Sequence, residues 1–359
     1  MSKICFLIHN WSHTGGTERV SASIANGLSK QGFDVHLLSI WGDGSPSFPL
    51  VENIVGSQLV DSGQAGLFQK MGVYLKVRRY VKKHAITHLI IVESMVALIG
   101  LPALALSSCK TIVWEHFNYS IDLGRKTRSY ARSLAAIMAN HIVVLTNRDR
   151  DLWVQQGSVR PSKISVVSNP IPFDKVQESI IDRTENKTMI AVGRLTYQKG
   201  FDLLIESATP LLRKYPSWRL WIIGSGEDEH LLRSQIDRAG VGEQIQLIPN
   251  TSSISEYYRR ASFLVMSSRF EGLPMVLLES LSYGLPILSF DCLTGPSEIV
   301  EHGVNGFLAE DGNIVDLRTN MERLISEEQL LASMGMQALK KSENFSIDKV
   351  LQQWRKILV

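Results

Sequence analysis

The chain has 359 residues, 44% apolar and 20% charged, with a formal net charge of +3 and three cysteines, Cys5, Cys109 and Cys292. This composition excludes a disordered chain, and the length points to about two domains, each large enough for its own core. The widely spaced cysteines suggest neither a disulfide framework nor a zinc site, and fit a reduced compartment.

The charge is uneven. Residues 1–170 hold 18 Lys and Arg against 10 Asp and Glu, a balance of +8, while the remainder holds 20 against 25, a balance of −5. One half is therefore suited to an anionic surface. A strand is predicted over 3–8, and its six apolar-patterned residues are too few for a signal-peptide core. A loop of small and polar residues over 11–16 leads into a helix over 18–29, with Val20, Ile24 and Leu28 on one face and Gly32 as its stop. A second strand follows over 35–40. This strand–loop–helix–strand start is a doubly wound α/β signature. The loop offers Gly15 and Gly16 only, not the G-x-G-x-x-G of a dinucleotide site, which disfavours a dehydrogenase.

Residues 42–66 read as irregular. A basic amphipathic helix is predicted over 68–84: Val73, Val77, Tyr80 and Val81 share helical spacing, and Lys76, Arg79 and Lys83 line another face. The apolar stretch 86–107 contains His88, Glu93 and Pro102, so it reads as a strand and a buried helix rather than a membrane span. Strands over 89–92, 111–114 and 141–145 are continuously apolar, as a parallel sheet covered on both faces requires. Arg125, Lys126, Arg128 and Arg132 form a second basic cluster, near Phe117 and Tyr119. Asp149-Arg150-Asp151 matches a D-x-D metal pattern, but its position after Leu145-Thr146-Asn147 reads as a helix start, where acids favour the dipole. Residues 167–188 read as an interdomain linker.

A second α/β series has strands over 189–193, 220–224, 246–248 and 263–266. Next comes Phe270-Glu271-Gly272-Leu273-Pro274-Met275-Val276-Leu277-Leu278-Glu279-Ser280. Pro274 suits a first helical turn and Gly284 a helix stop. Glu271 then lies in the loop and Glu279 inside the helix, where a buried acid is rare unless paired. A strand over 286–290 and a terminal helix over 346–359 carrying Trp354 complete the pattern.

Four loops follow strands and offer ligand chemistry. Gly193-Arg194-Leu195-Thr196-Tyr197-Gln198-Lys199-Gly200 supplies a guanidinium fork and a point charge, a pairing that suits a diphosphate. Gly15-Gly16-Thr17-Glu18 opens the first helix, where backbone N–H groups attract anions. Gly224-Ser225-Gly226 is a strand-to-helix turn. His116, in Glu115-His116-Phe117-Asn118, ends a strand on the side where α/β sheets bind ligands.

Glu271 and Glu279, seven residues between them, resemble the signature of the retaining glycosyltransferases of the GT-B fold, family four. The subgroup with Glu-Gly-Leu-Pro-Met-Val-Leu-Leu-Glu builds bacterial exopolysaccharides and O-antigens. Pro274 departs from the commoner glycine of that motif and removes one backbone donor. The resemblance implies an α/β chain of two Rossmann-like doubly wound domains facing a central cleft. The N-terminal acceptor domain would span 1–170, rejoined by a terminal helix over 343–359, and the nucleotide-sugar domain 171–342. It implies catalytic roles for Glu271, His116, Arg194 and Lys199. Donor binding falls to Gly15, Gly16, Arg194, Lys199, Gly224, Gly226, Gly272, Leu273, Met275 and Glu279. In that family the first acid holds sugar hydroxyls and the second the ribose, the basic pair neutralises the leaving diphosphate, and His116 meets a sugar hydroxyl. The loop over 248–251 stands where relatives contact the base, and Thr294-Gly295-Pro296-Ser297-Glu298 resembles a loop near the donor.

The expected reaction is retaining transfer of a hexose or N-acetylhexosamine from a UDP-sugar to a lipid-linked glycan, without a cofactor or metal. The expected place is the anionic inner face of the bacterial cytoplasmic membrane, peripherally bound, with no nucleic-acid partner. The competing readings are another nucleotide-sugar enzyme such as an epimerase, a phosphorylase, and a non-catalytic glycan- or nucleotide-binding subunit.

Overall fold

The computed structural model describes residues 2–42, 45–61, 67–122, 124–172 and 186–359, with the backbone alone at 61 and 67–71. The chain divides into two compact units, Met1–Pro172 with Ser346–Val359, and Phe173–Phe345. Most of the linker expected over 167–188 lies outside the described residues.

The first unit runs β1 (Lys3–Asn10), α1 (Gly16–Lys30), β2 (Asp34–Gly42), β3 (Val55–Asp61), α2 (Leu67–Lys83), β4 (His88–Val92), α3 (Ser94–Ala103), β5 (Lys110–Trp114), α4 (Lys126–Met138), β6 (His141–Val144), α5 (Asn147–Gln155) and β7 (Ile164–Val166). The second runs β8 (Thr188–Val192), α6 (Phe201–Lys214), β9 (Arg219–Ile223), α7 (Glu229–Ala239), β10 (Ile245–Ile248), α8 (Ile254–Arg260), β11 (Phe263–Met266), α9 (Met275–Ser282), β12 (Ile287–Phe290), α10 (Pro296–Ile299), β13 (Gly306–Ala309), α11 (Ile314–Ser326) and α12 (Glu328–Ser342). Finally α13 (Ile347–Leu358) belongs to the first unit.

Among the described residues the first unit's sheet has seven parallel strands in the order β3-β2-β1-β4-β5-β6-β7, and the second's has six in the order β10-β9-β8-β11-β12-β13. Both orders reverse direction beside the first strand of the unit, between β1 and β4 and between β8 and β11. At such a switch point the loops at the carboxyl ends diverge and leave a crevice for ligands. The inner strands are largely apolar because helices cover both faces. In the first unit α2, α3 and α4 lie side by side over a core that includes Leu7, Val73, Val77, Ala97, Val113 and Ala135. On α13, Trp354 is fully buried and meets Trp114 edge-on, ring centroids 4.9 Å apart.

Two expectations change here. Residues 55–61, read as irregular, form the edge strand β3, pairing with β2 from His36↔Val55 to Gly42↔Asp61. Its sequence, Val-Gly-Ser-Gln-Leu-Val-Asp, hides the strand behind Gly and Ser, and an edge position tolerates them. Pro274, expected in the first turn of α9, instead precedes it with an extended backbone (φ −72°, ψ 114°). Gly284 does end that helix, at φ +63°.

Candidate active site

The second unit brings its site residues together at the carboxyl ends of β8, β9, β11 and β12. Lys199 ends the loop after β8 and Glu271 lies in the loop after β11, so they face each other across the switch point. Lys199 Nζ donates to Glu271 Oε1 at 2.6 Å, and Glu271 is only 8% exposed. The pair sets a cation suited to phosphate beside a carboxylate suited to hydroxyls.

Backbone close approach fixes this pair. Gly200 sits at φ +62°, and a Cβ there would stand 2.1 Å from the carbonyl oxygen of Ser267. Gly224 sits at φ +155°, where a Cβ would stand 1.9 Å from the carbonyl oxygen of Gly193. Only glycine lets these loops touch. Polar bonds complete the lattice: the Ser267 hydroxyl donates to the Lys199 carbonyl, the Gln198 amide to the Phe270 carbonyl, and the Thr294 hydroxyl to the Glu271 carbonyl at 2.7 Å. The Leu195 N–H donates to the Ser225 carbonyl, tying the first loop to the turn holding Gly224 and Gly226. Arg269 forks onto both oxygens of Asp202, at 2.9 and 2.6 Å, and its guanidinium lies 4.0 Å from the Tyr197 ring centroid. Thus Arg269, Asp202 and Thr294 stiffen the loops that carry Lys199 and Glu271. Sequence spacing gave no signal for the Arg269–Asp202 pair, whose members come from separate elements.

Arg194 is exposed and has no hydrogen-bond or ion-pair partner among the described residues. Glu279, inside α9, is 7% exposed and accepts from the Tyr258 hydroxyl at 2.8 Å, the Tyr258 ring being stacked on Tyr283. This hydroxyl is one donor to the buried acid, as a buried carboxylate requires. Gly272, Leu273 and Met275 lie in the run from Glu271 into the amino end of α9.

The first unit gathers a separate group at the carboxyl ends of β1, β4 and β5. Gly15 is the residue before α1, and Glu18 bonds back to its backbone, in the manner of half a capping box. His116 follows β5. Its ring lies 4.4 Å from that of Trp114, and its Nε2 has no hydrogen-bond partner among the described residues. Desolvation lowers its pKa to about 3, so the imidazole is neutral at physiological pH. Glu115 shapes this turn by accepting from the N–H groups of His116 and Phe117, at 3.0 and 3.1 Å.

Sequence reading missed Glu93, Arg128, Arg132 and Asp149 as parts of this group. Glu93, between β4 and α3, has φ +75°, a strained conformation for a side-chain-bearing residue. Its carboxylate pairs with Arg128 at 2.7 Å, and Arg128 also lies 4.2 Å over the Phe117 ring. Burial raises the Glu93 pKa against the lowering effect of Arg128. Arg132 is 2% exposed, meets Glu115 and donates to the Tyr119 and Ile121 carbonyls. Asp149 accepts from the Tyr119 N–H at 2.7 Å, and burial raises its pKa to about 7. Asp149 also receives the α5 cap, through its N–H to the Thr146 hydroxyl, as its place at a helix start predicted. Asp151 pairs with Arg150 instead. Arg128 and Arg132 are therefore not part of an exposed basic cluster: each is buried against a carboxylate.

Comparison with known proteins agrees with both halves. The family model "Glycosyltransferase Family 4" matches residues 14–175 and "Glycosyl transferases group 1" matches 173–341. The chain is 35% identical to an uncharacterized glycosyltransferase of Haemophilus influenzae and 31% identical to the amylovoran biosynthesis glycosyltransferase AmsD of Erwinia amylovora, covering 100% of both chains in each case. The crystal structure of Anabaena HepE in complex with UDP and glucose matches with a TM-score of 0.83 at 20% identity, over 100% of this chain and 99% of that one. Two parallel Rossmann-like sheets, full-length likeness to named glycosyltransferases and family models over both halves together place the chain among the family-four, group-1 glycosyltransferases of GT-B fold.

Proposed function

We propose that this enzyme transfers a hexose or N-acetylhexosamine from a UDP-sugar to a lipid-linked glycan, with retention of anomeric configuration, in the assembly of a bacterial surface polysaccharide such as O-antigen, capsule or lipopolysaccharide. The observation that carries the reading is the Lys199–Glu271 pair across the β8/β11 switch point. A leaving nucleoside diphosphate needs fixed positive charge, which Lys199 and the unpaired Arg194 supply, and a transferred sugar needs hydroxyl acceptors, which Glu271 supplies. Glu279, held by Tyr258, takes the ribose hydroxyls, with the backbone of Gly272, Leu273 and Met275 beside the donor.

Two names support the finer reading: a relative is named for amylovoran biosynthesis, and the HepE structure holds UDP and glucose. The acceptor falls to the first unit, where neutral His116 serves as a hydrogen-bonding group to a sugar hydroxyl and Gly15 and Gly16 open α1. Positive charge from Arg194 and Lys199 replaces a divalent cation, and a diphosphate oxygen takes the acceptor proton. No helix among the described residues is long and apolar enough to cross a membrane, and we assign the enzyme a peripheral position on the anionic inner leaflet.

The test is a panel of UDP- and GDP-hexoses and N-acetylhexosamines, with and without chelator, read by NMR of the released nucleotide and the new anomeric centre. A UDP-sugar consumed without metal, giving product of the donor's own anomeric configuration, supports the reading. Exclusive use of GDP-sugars, inversion, or activity lost in chelator and restored by magnesium each overturns the corresponding part.

A further inference from the structure

The first unit has a cavity at the opposite end of its sheet from the loops described above. His88, Lys110 and His141 open strands β4, β5 and β6 there, and Gln353 and Lys356 come from α13. Asn140, just before β6, completes the polar wall of a space of about 520 Å³. None of the lining residues is acidic. Five-residue strands separate this end from Glu93 and His116, a distance of about 16 Å.

The wall is basic and partly unsatisfied. His88 is 5% exposed, and its Nδ1 lies 3.0 Å from the Thr87 hydroxyl oxygen. That hydroxyl also accepts from the Lys3 N–H and lies 3.0 Å from the Lys3 carbonyl oxygen. His88 Nδ1 shares its hydrogen bond with that hydroxyl, so Nε2 is the ring nitrogen left for another partner. Nε2 has no partner among the described residues, an arrangement that costs stability in a buried group. His141 shares a 2.8 Å hydrogen bond with Ser165, and Asn140 spends its carbonyl oxygen on Thr111. Lys110 and Lys356 are exposed at the rim without ion-pair partners among the described residues.

We propose that this cavity is a second binding site, for a small phosphate-bearing molecule, distinct from the nucleotide-sugar site. The two lysines supply the charge that a phosphoryl group attracts, and Lys is well suited to phosphate as a point charge. The amides of Asn140 and Gln353 supply further donors, and a ligand hydroxyl, which both donates and accepts, pairs with His88 Nε2 in either tautomer. The volume suits a sugar phosphate and falls within the usual range for small-molecule sites. Such a ligand bridges α13 to the amino ends of β4, β5 and β6.

Calorimetric titration of the full chain with inorganic pyrophosphate and with glucose 6-phosphate tests this, in an Arg194→Ala, Lys199→Ala background that disables phosphate binding in the second unit. The expected result is saturable binding of at least one probe, weakened at least about tenfold, or about 1.4 kcal/mol, by Lys110→Ser with Lys356→Ser. Lys356→Glu alone, at an exposed position, should abolish it. The His88 and Asn140 side-chain NMR signals should move on titration. Lack of saturable binding of either probe, or binding unchanged in both lysine variants, overturns the proposal.

Discussion

Lys199 and Glu271 hold each other at 2.6 Å, and that contact decides what substitution there does. Arg194→Ala and Lys199→Ala should each raise the barrier by about 2–4 kcal/mol, as removal of one charge-stabilising donor does elsewhere. Lys199→Ala also strands the buried Glu271 carboxylate, so it should cost some stability, while the exposed Arg194 should cost none. Steady-state kinetics with the true donor, paired with denaturant melts, separates the two effects. Near-normal turnover in both variants would remove the diphosphate clamp. Glu279→Ala should instead weaken nucleoside diphosphate binding in calorimetry, since its place beside Tyr258 is in α9 and not at the reacting end of the loop. His116 is a neutral group here. Its pKa near 3 means that no ionisation of this residue should shape kcat/KM between about pH 5 and 8. A pH profile whose limb vanishes in His116→Asn would contradict that. Glu271, the Gly-Arg loop and His116 stood out in the sequence because each follows a strand, and Glu279 because it is an acid inside an apolar helix. Glu93 and Arg132 were not, since a charged residue shows no partner until the strand ends meet. Arg128 and Arg132 accordingly read as surface charge although Glu93 and Glu115 bury them.

At the scale of the element, the fold was legible wherever period and punctuation agreed: apolar strand, turn, amphipathic helix, glycine stop. It was not legible at β3, an edge strand with little apolar character, nor at the loop contacts that lock β8, β9 and β11 together. Gly200 marks this limit. Its sequence neighbours predict a turn, but only the structure shows the Ser267 carbonyl where a Cβ would go. Gly200→Ala should destabilise by at least about 1–2 kcal/mol from the left-handed backbone alone, and it should lower kcat/KM further by shifting Lys199. Loss of stability without any loss of kcat/KM would show that the loop positions nothing. The α5 amino end gives a pH test. Asp149, raised from 3.8 to about 7 by burial, favours the folded state only when protonated. The stability it contributes is complete below about pH 4 and is lost as pH rises through 7. Asp149→Asn should therefore flatten the fall of stability between pH 4 and 7, read by chemical denaturation. His116, shifted the other way, adds stability above its ordinary pKa of 6.5 and loses it toward 3. The Asn variant must be compared with wild type at each pH to isolate Asp149.

For the whole molecule, the excess of positive charge in residues 1–170 acquires a definite location. Val73, Val77 and Val81 of α2 are buried against the sheet, as ordinary helix packing requires. The outward side of α2 keeps Arg78, Arg79, Lys82 and Lys83 exposed together with Tyr74 and Leu75, while Lys76 donates to the Leu59 carbonyl. Phe68, Gln69, Lys70 and Met71 lie outside the described side chains. The neighbouring α4 adds exposed Tyr130 and Ile137, at 70% and 79%, with Arg125 and Lys126 at its start. Large apolar side chains scattered singly need no explanation, but here they share one helical layer with at least six cations, the combination that suits an anionic leaflet. Each Lys or Arg near such a surface contributes about 1 kcal/mol, so several together would be enough to hold a protein there reversibly without a membrane span. Flotation with vesicles should show binding that needs anionic lipid and weakens with salt, since exposed charges are screened beyond about 8–10 Å at physiological ionic strength. Replacing Arg78, Arg79, Lys82 and Lys83 with Ser should abolish the lipid dependence, and Leu75→Ser with Ile137→Ser should weaken whatever binding survives high salt. Equal recovery on neutral and anionic vesicles would rule out charge as the basis of docking and return the α2 surface to an ordinary solvated face.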